Sequence, residues 1–414
     1  MTMWDTVKRV SELEAEGDLL VQDGNHGEYR PRRREFVEEG TPFIRAADLD
    51  EGRILFQTAS RINEVAMERI RKGIGEPGDV VLSHKGTVGK VARAPLDSDT
   101  FVCSPQTTFW RARPGGQVDP GYLFYYLQSP RFRGQLRGIK GETSMADYVS
   151  LTSQRELEVV LPPAEDQIRI AATLGTLDDR IALNRRMNRT LEALAAAEFR
   201  RRFVAFEGQG PLVESGTAVG AIPEGWEVKP LESEFDLTMG ASPPGRTYNE
   251  VGDGLPFYQG VRDFGFRFPS RRVYCTEPKR AANPGDTLVS VRAPVGRVNM
   301  AAETCCIGRG VAALRHRSGA VSYTYAFANN LERRFDVFDS EGTVYGSLSK
   351  RDFSNLAILV PPPSQVDAFE SEVGPLDRQV HQNTEQNATL AALRDELLPE
   401  LVSGRLRVPA GFGV

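Results

Sequence analysis

Histidine and cysteine are scarce in this chain, four of each among 414 residues. The cysteines, Cys103, Cys275, Cys305 and Cys306, have no CxxC spacing, so neither a thiolate zinc site nor a thioredoxin-like motif can be assembled locally. Adjacent Cys305 and Cys306 do not suit a disulfide frame, and reduced, buried thiols are expected. His26, His84, His316 and His381 leave little material for a metal centre or a histidine-based triad. No P-loop GxxxxGK[ST] occurs, so no ATP-driven motor is encoded. The Pro-Pro-aromatic motif with which a DNA adenine methyltransferase holds its flipped base is also missing. Its nearest approach, "SPPG" at Ser242–Gly245, offers Gly245 where the ring would stand and reads as a turn. There is no run of about 18 apolar residues to span a membrane, and "MTMWDTVKRVSELEAEGD" lacks a signal-peptide core. No membrane partner and a cytoplasmic location are therefore expected. The net charge of -5 excludes a wholesale polycation but does not report local patches.

What is present is duplication. "LDDRIALNRRMNRTLEAL" at Leu177–Leu194 returns as "LDRQVHQNTEQNATLAAL" at Leu376–Leu393, with about 8 of 18 positions identical. Each copy sits in a long helical stretch opened by prolines, and each stretch follows a region of short strand-like runs and turns. The order is mixed domain, helix, mixed domain, helix, divided as 1–163, 164–208, 209–360 and 361–414. The fold class is α+β. The mixed domains are related too: "PGDVVLSHKGTVGKV" (Pro77–Val91) answers "PGDTLVSVRAPVGRV" (Pro284–Val298). Each reads as a turn, a β-branched strand, a small-residue turn and a second strand.

The helical copies carry a heptad seam. Ile170, Leu174, Leu177, Ile181, Asn184, Asn188, Leu191 and Ala195 step alternately by four and three, as do Phe369, Val373, Leu376, Val380, Asn383, Asn387 and Leu390. Asparagine in a seam lowers stability but penalises wrong registers, because a slipped helix buries an unpaired amide. If the two helices run antiparallel, Asn184 and Asn188 can meet Asn383 and Asn387 and pin the register. The antiparallel coiled coil would be roughly 55 Å long and would relate the mixed domains by a pseudo-two-fold. That exceeds one turn of B-DNA, about 34 Å, so the helices would serve as a ruler between two readers. Outside the seam, Leu183, Met187 and Leu194 on one helix and Leu393, Leu397, Leu398 and Leu401 on the other form extra apolar faces for partner helices.

The readers themselves are locally basic. "YRPRRREF" supplies Arg30, Arg32, Arg33 and Arg34, and "PRFRGQLRGIK", a run that contains no acid, supplies Arg133 and Lys140. The duplicated hairpin matches Lys85 with Arg292 and Lys90 with Arg297. The second domain adds Arg246, Tyr248, Arg262, Arg267, Arg272 and Lys350. Such clusters suit phosphate contacts, while arginine can also read base edges. No catalytic or metal-binding residue is assigned.

These segments, with "DGNHGEY" (Asp23–Tyr29), "EEGTPFIRAADL" (Glu38–Leu49), "PEGWEVKPL" (Pro223–Leu231) and "MGASPPGRTYNEVGDGLPFYQG" (Met239–Gly260), resemble the specificity subunits of type I restriction-modification systems over essentially the whole chain. The resemblance implies two target recognition domains, each reading half of a split, asymmetric double-stranded DNA sequence. It also implies helical spacers that dock two methyltransferase (modification) subunits, with a restriction subunit joining for cleavage. The chain itself would be non-catalytic and hold no cofactor, with S-adenosylmethionine on the methyltransferase partner. The alternatives from sequence are a stand-alone DNA-binding regulator and a DNA-modifying enzyme whose motifs are unrecognised.

Overall fold

The duplication read from sequence is carried into the fold strand by strand. The computed structural model describes residues 3–139, 141–142, 147–217, 220–340, 347–409 and 411. The chain divides into two compact units, residues 1–183 with 386–414, and residues 184–385. Each unit therefore contains one mixed domain, the adjoining half of the helix that follows it, and half of the other long helix.

In the first unit a sheet runs in the order Leu19–Asp23, Thr107–Ala112, Val80–Ser83, Val91–Arg93, Gly52–Ile54, Leu49–Asp50. The second unit repeats its first four positions with Phe235–Met239, Val311–His316, Thr287–Ser290 and Val298–Met300. A second, five-stranded sheet in the first unit has the order Phe36–Val37, Ser60–Ile62, Thr41–Ile44, Phe101–Cys103, Ile74–Gly75. Its counterpart is Tyr248–Asn249, Tyr274–Cys275, Leu255–Tyr258, Cys305–Ile307, Ala281–Ala282. All four cysteines are buried and unbridged on or beside these strands.

The Pro-Gly-Asp repeat builds the central hairpin the same way twice. Val80–Ser83 and Thr287–Ser290 are buried along their whole length, which is why they read as unbroken apolar runs instead of alternating ones. The aspartate before each strand closes its turn. Asp79 accepts from the Glu76 N–H at 2.8 Å and from Arg111 Nε at 2.7 Å. Asp286 accepts from the Asn283 N–H at 2.6 Å and from Arg315 Nε at 2.5 Å. At the far end of each strand a buried serine locks the hairpin: Ser83 Oγ accepts from the Lys90 N–H at 2.8 Å, and Ser290 Oγ from the Arg297 N–H at 2.9 Å.

The two long helices, α1 (Ala164–Phe203) and α2 (Pro363–Ser403), are continuous. Glu165 and Asp166 in the first turn of α1, and Arg200, Arg201 and Arg202 in its last, complement the helix dipole. Within each unit the helices pair antiparallel, rising numbers on one meeting falling numbers on the other. Asp178 accepts from Arg394 at 2.7 Å in the first unit. Asn188 meets Asn383, and Arg202 meets Glu372, in the second. The seam is apolar and buried at Ile170, Leu174, Ile181, Ala195, Phe369, Val373 and Val380. At its asparagines, Asn383 Nδ2 donates to Asn188 Oδ1 at 2.8 Å, with both residues 4% exposed.

One expectation about the helices needs correction. Leu398 and Leu401 do not form an uncovered face: they are buried in the first unit's core with Leu174, Tyr122, Leu123 and Trp4, and Leu397 packs against them. The recognition domain adds a third layer to the helix pair there, a layer that a two-stranded heptad does not anticipate. Leu183, Met187, Leu194 and Leu393 are exposed.

Candidate nucleic-acid interface

One end of each domain gathers three connections side by side. In the first unit the chain leaving Leu19–Asp23 bonds to the tight turn 104–106: the Asn25 N–H donates to Cys103 O at 2.7 Å, and the Gly24 N–H to Thr107 O at 2.9 Å. The His84 N–H, leading to the hairpin tip, donates to Gln106 O at 2.9 Å. In the second unit the Gly240 N–H donates to Val311 O at 3.0 Å, the Ala241 N–H to Ile307 O at 3.0 Å, and the Val291 N–H to Gly310 O at 3.0 Å. The crossing is too tight for a side chain. A Cβ on Gly24 would stand 1.8 Å from Ser104 O, and one on Gly240 2.2 Å from Gly308 O.

This construction holds Lys85 and Arg292 at matching, exposed hairpin tips. Each tip is further fixed by an antiparallel bridge to the segment that leads back to the long helix, Lys85 to Tyr148 and Arg292 to Ser347. Arg246 and Lys350 are exposed, and Lys350 follows three residues after the Ser347 that bridges Arg292. Gln106 and Arg309, both exposed and both in the strand-connecting turns of the same end, were not singled out from sequence. The glycines flanking Arg309 were the available signal, since they mark a turn that leaves one cation at its apex. His84, just beneath the Lys85 tip, is buried with Nδ1 3.0 Å from Val149 O. Burial pushes its pKa below the ordinary imidazole range, so it contributes a neutral ring and not a phosphate-binding charge.

The arginine-rich segment is positioned by a carboxylate. Arg30, Arg32, Arg33 and Arg34 are exposed along it, and Glu35 at its end is buried. Both Glu35 oxygens accept from the Arg69 guanidinium, at 3.0 and 2.5 Å, and the Arg32 N–H donates to one of them at 2.8 Å. The Arg69 hydrogen bonds hold the Glu35 carboxyl down to about 2. Arg69 also donates to the Arg30 carbonyl at 3.2 Å, so the pair grips both ends of the basic stretch. Arg133 is exposed on the helix Pro130–Ile139, and Arg262 is exposed in a short 3-10 turn. Lys140 lies outside the described residues. Arg297 is exposed beside the hairpin.

Four sequence-predicted contacts are placed differently. Arg267 is not on the surface: it is 2% exposed and bonded to Glu192 and Asp377. Tyr248 packs its ring 4.7 Å from that of Phe257 and donates its hydroxyl to Pro243 O at 2.7 Å, a core role in place of a stacking platform. Lys90 turns its ammonium to Leu49 O at 2.9 Å. Arg272 is drawn to Asp263 at 2.9 Å, its side chain 39% exposed. In each case an acceptor or apolar neighbour captures a group that local composition assigned to DNA. For Arg267 and Lys90 that neighbour is distant in sequence, and for Tyr248 and Arg272 the folded loop brings it close.

The tips give a direct expectation. Lys85→Ala with Arg292→Ala should weaken duplex binding and flatten the dependence of log K on log salt by about one unit for each phosphate no longer neutralised. An unchanged slope in the folded double variant would mark both cations as incidental surface charge.

Among the described residues no three His, Cys, Asp or Glu side chains are grouped as a metal would need, and no helix is long and apolar enough to cross a membrane. Residues 21–193 match the family described as the type I restriction modification DNA specificity domain. The chain is 26% identical over 381 residues to the specificity subunit assigned to the type I restriction enzyme MjaX of Methanocaldococcus jannaschii, spanning 89% of this chain and 88% of that one. It is 22% identical over 443 residues to the type I restriction enzyme HindI specificity subunit of Haemophilus influenzae, spanning 88% and 94%. Among solved structures, the type I restriction-modification S subunit of M. genitalium superposes with a TM-score of 0.58 at 16% identity, over 97% of this chain and 96% of the other.

Proposed function

Because the chain belongs to the family of type I restriction-modification specificity subunits, we propose that it is the DNA-recognition subunit of such a complex, reading a two-part, asymmetric target. The observation that carries this reading is the repeated end of the two domains, where Lys85 and Arg292 stand at equivalent hairpin tips on equivalent strands. Two copies of one scaffold with different loops suit two different half-sites. Exposed cations such as Arg30, Arg33, Arg246 and Arg262 provide phosphate contacts that set register, while Gln106 and Arg309 at the turn apices suit base edges.

The chain works without chemistry of its own. Methyl transfer belongs to a partner that carries S-adenosylmethionine, and cleavage to a restriction subunit. Exposed Leu183, Met187, Leu194 and Leu393 are apolar positions on the long helices suited to partner helices. Leu194 and Leu393 occupy equivalent positions of the helical repeat, so two identical methyltransferases would find one such anchor on each long helix.

Purified alone, the chain is expected to give no S-adenosylmethionine-dependent methylation of DNA. Combined with its methyltransferase, it should direct methylation to one bipartite sequence selected from random duplexes. Methyl transfer by the pure chain would make it an enzyme. Tight target binding without any methyltransferase would make it a stand-alone regulator.

A further inference from the structure

Arg267, which the DNA surface does not use, is an enclosed cation of the second unit's mixed domain. It lies in the loop after the 3-10 turn Val261–Asp263, 2% exposed. Its Nε donates to Glu192 of α1 at 2.5 Å, and its Nη2 donates to Asp377 of α2 at 2.8 Å. The guanidinium carbon sits 3.8 Å over the ring of Tyr325, on the domain's own helix Val321–Ser340. One planar group thus touches both long helices and the domain. It cannot turn to follow one carboxylate without releasing the other, which is how a guanidinium differs from a lysine ammonium.

The main chain at the same residue is tied to the reading hairpin. The Arg267 carbonyl accepts from the Met300 N–H at 2.9 Å, and Asn299 Nδ2 donates to Gly265 O at 2.9 Å. Met300 ends the strand Val298–Met300, whose hairpin carries Arg292 at its other end. Phe268 adds a ring contact to His381 of α2 at 4.9 Å. A short path of fixed groups therefore runs from the hairpin tip through one strand and Arg267 into the helix pair. In the first unit, Asp178, the counterpart of Asp377, receives the Tyr125 hydroxyl at 2.8 Å and Arg394 of α2 at 2.7 Å. There the guanidinium comes from a helix, whereas in the second unit it comes from the domain.

We propose that Arg267 is a positioning residue for DNA recognition: by keying the second recognition domain to α1 and α2, it fixes the number of base pairs tolerated between the two half-sites. This rests on the reading of the chain as a two-part DNA reader. Adding one base pair moves the half-sites apart by about 3.4 Å and rotates one against the other by about 35°. A domain held at both helices by one rigid fork cannot follow that change, so the duplex must twist or bend instead, which disfavours the wrong length by about tenfold or more. A domain held only by packing can rock to meet it.

The test uses the full chain with its methyltransferase and the target that the wild-type complex selects from random duplexes. Competitors keep both half-sites and alter the central spacer by one base pair in either direction. Arg267→Leu alone leaves Glu192 and Asp377 facing each other and is at risk of misfolding, so the decisive variant is Arg267→Leu with Glu192→Gln and Asp377→Asn. That variant is expected to keep both half-site sequences while its preference among spacer lengths falls to within about threefold, less than one decade of binding constant. Wild-type spacer preference in the folded triple variant overturns the proposal, and so does a uniform loss of affinity at every length. If the wild-type complex selects no two-part site, the functional reading itself fails and the proposal falls with it.

Discussion

Replacing Asn188 alone by leucine is expected to destabilise the second unit by about 1–3 kcal/mol, the cost of leaving a buried amide without its partner. Replacing Asn188 and Asn383 together is expected to raise stability. The asymmetry follows from their geometry. Asn383 Nδ2 donates to Asn188 Oδ1 at 2.8 Å, and both side chains are 4% exposed between the helices. In the single variant that donor faces a methyl group with no water to replace the missing acceptor. In the double variant two leucines meet in an apolar seam. The donor then left without its acceptor is Gln379, whose amide bonds Asn383 at 2.9 Å and is half-buried enough to turn to solvent. What the double variant gives up is discrimination, since leucine packs acceptably in a slipped register where asparagine does not. Urea unfolding of the three proteins reads the first part directly. A double variant less stable than the single one would remove the pinning role from this pair.

A chain ending at Phe203 is expected to become a two-fold dimer that selects a palindromic, interrupted site. Such a fragment lacks residues 386–414, and with them Leu398, Leu401 and Val402 of the first unit's core. Ile170 and Leu174 would then face water. The internal repeat supplies a substitute: Phe199 and Phe203 stand where Leu398 and Val402 stand one repeat later, so the end of α1 from a second copy can fill the space. Arg202 comes where Leu401 stood, so its guanidinium must reach solvent or a carboxylate. Two phenylalanines in place of leucine and valine overfill the space, at a cost of about 1–3 kcal/mol by analogy with enlarged core residues. That is small beside the several large side chains left bare in a monomer, each contributing about 1.5–3 kcal/mol when buried. Two identical readers related by a two-fold axis should prefer inverted half-sites. Light scattering and selection from random DNA, both with the methyltransferase present, test the two halves of the expectation. A persistent monomer, or a selected site without inverted symmetry, would break the equivalence of the two units.

The parts of the molecule that were legible in its sequence are those written in local period or in repetition. The heptad seam predicts the buried faces of α1 and α2, and Asn188 meets Asn383 as the register argument requires. The Pro-Gly-Asp repeat locates two equivalent hairpins because a tight turn, a buried strand and a locking serine all act within 14 residues of Pro77 or Pro284. Arg267 was illegible for the opposite reason. Its acidic partners lie 75 and 110 residues away, and inside the run "FGFRFPSRR" it resembles any other surface cation. Leu398 and Leu401 misled because the heptad describes two helices, whereas the packing has a third participant. Gln106 and Arg309 were missed because nothing in a strand-connecting turn announces which end of a sheet it will occupy.

The division of the chain into units also orders its synthesis. Residues 184–385 are contiguous, so the second unit has all its parts once residue 385 has left the ribosome. The first unit begins to emerge much earlier yet waits for residues 386–414, because Val10, Leu13 and Leu174 share a core with Leu398 and Leu401. At 5–20 residues per second, making the intervening segment takes about 10–40 s. During that time the nascent chain carries a partly built domain with an open apolar flank, the kind of surface that chaperones bind and that strays into wrong associations. A nonsense codon late in α2 therefore damages the domain that was translated first, and leaves the one it immediately follows intact.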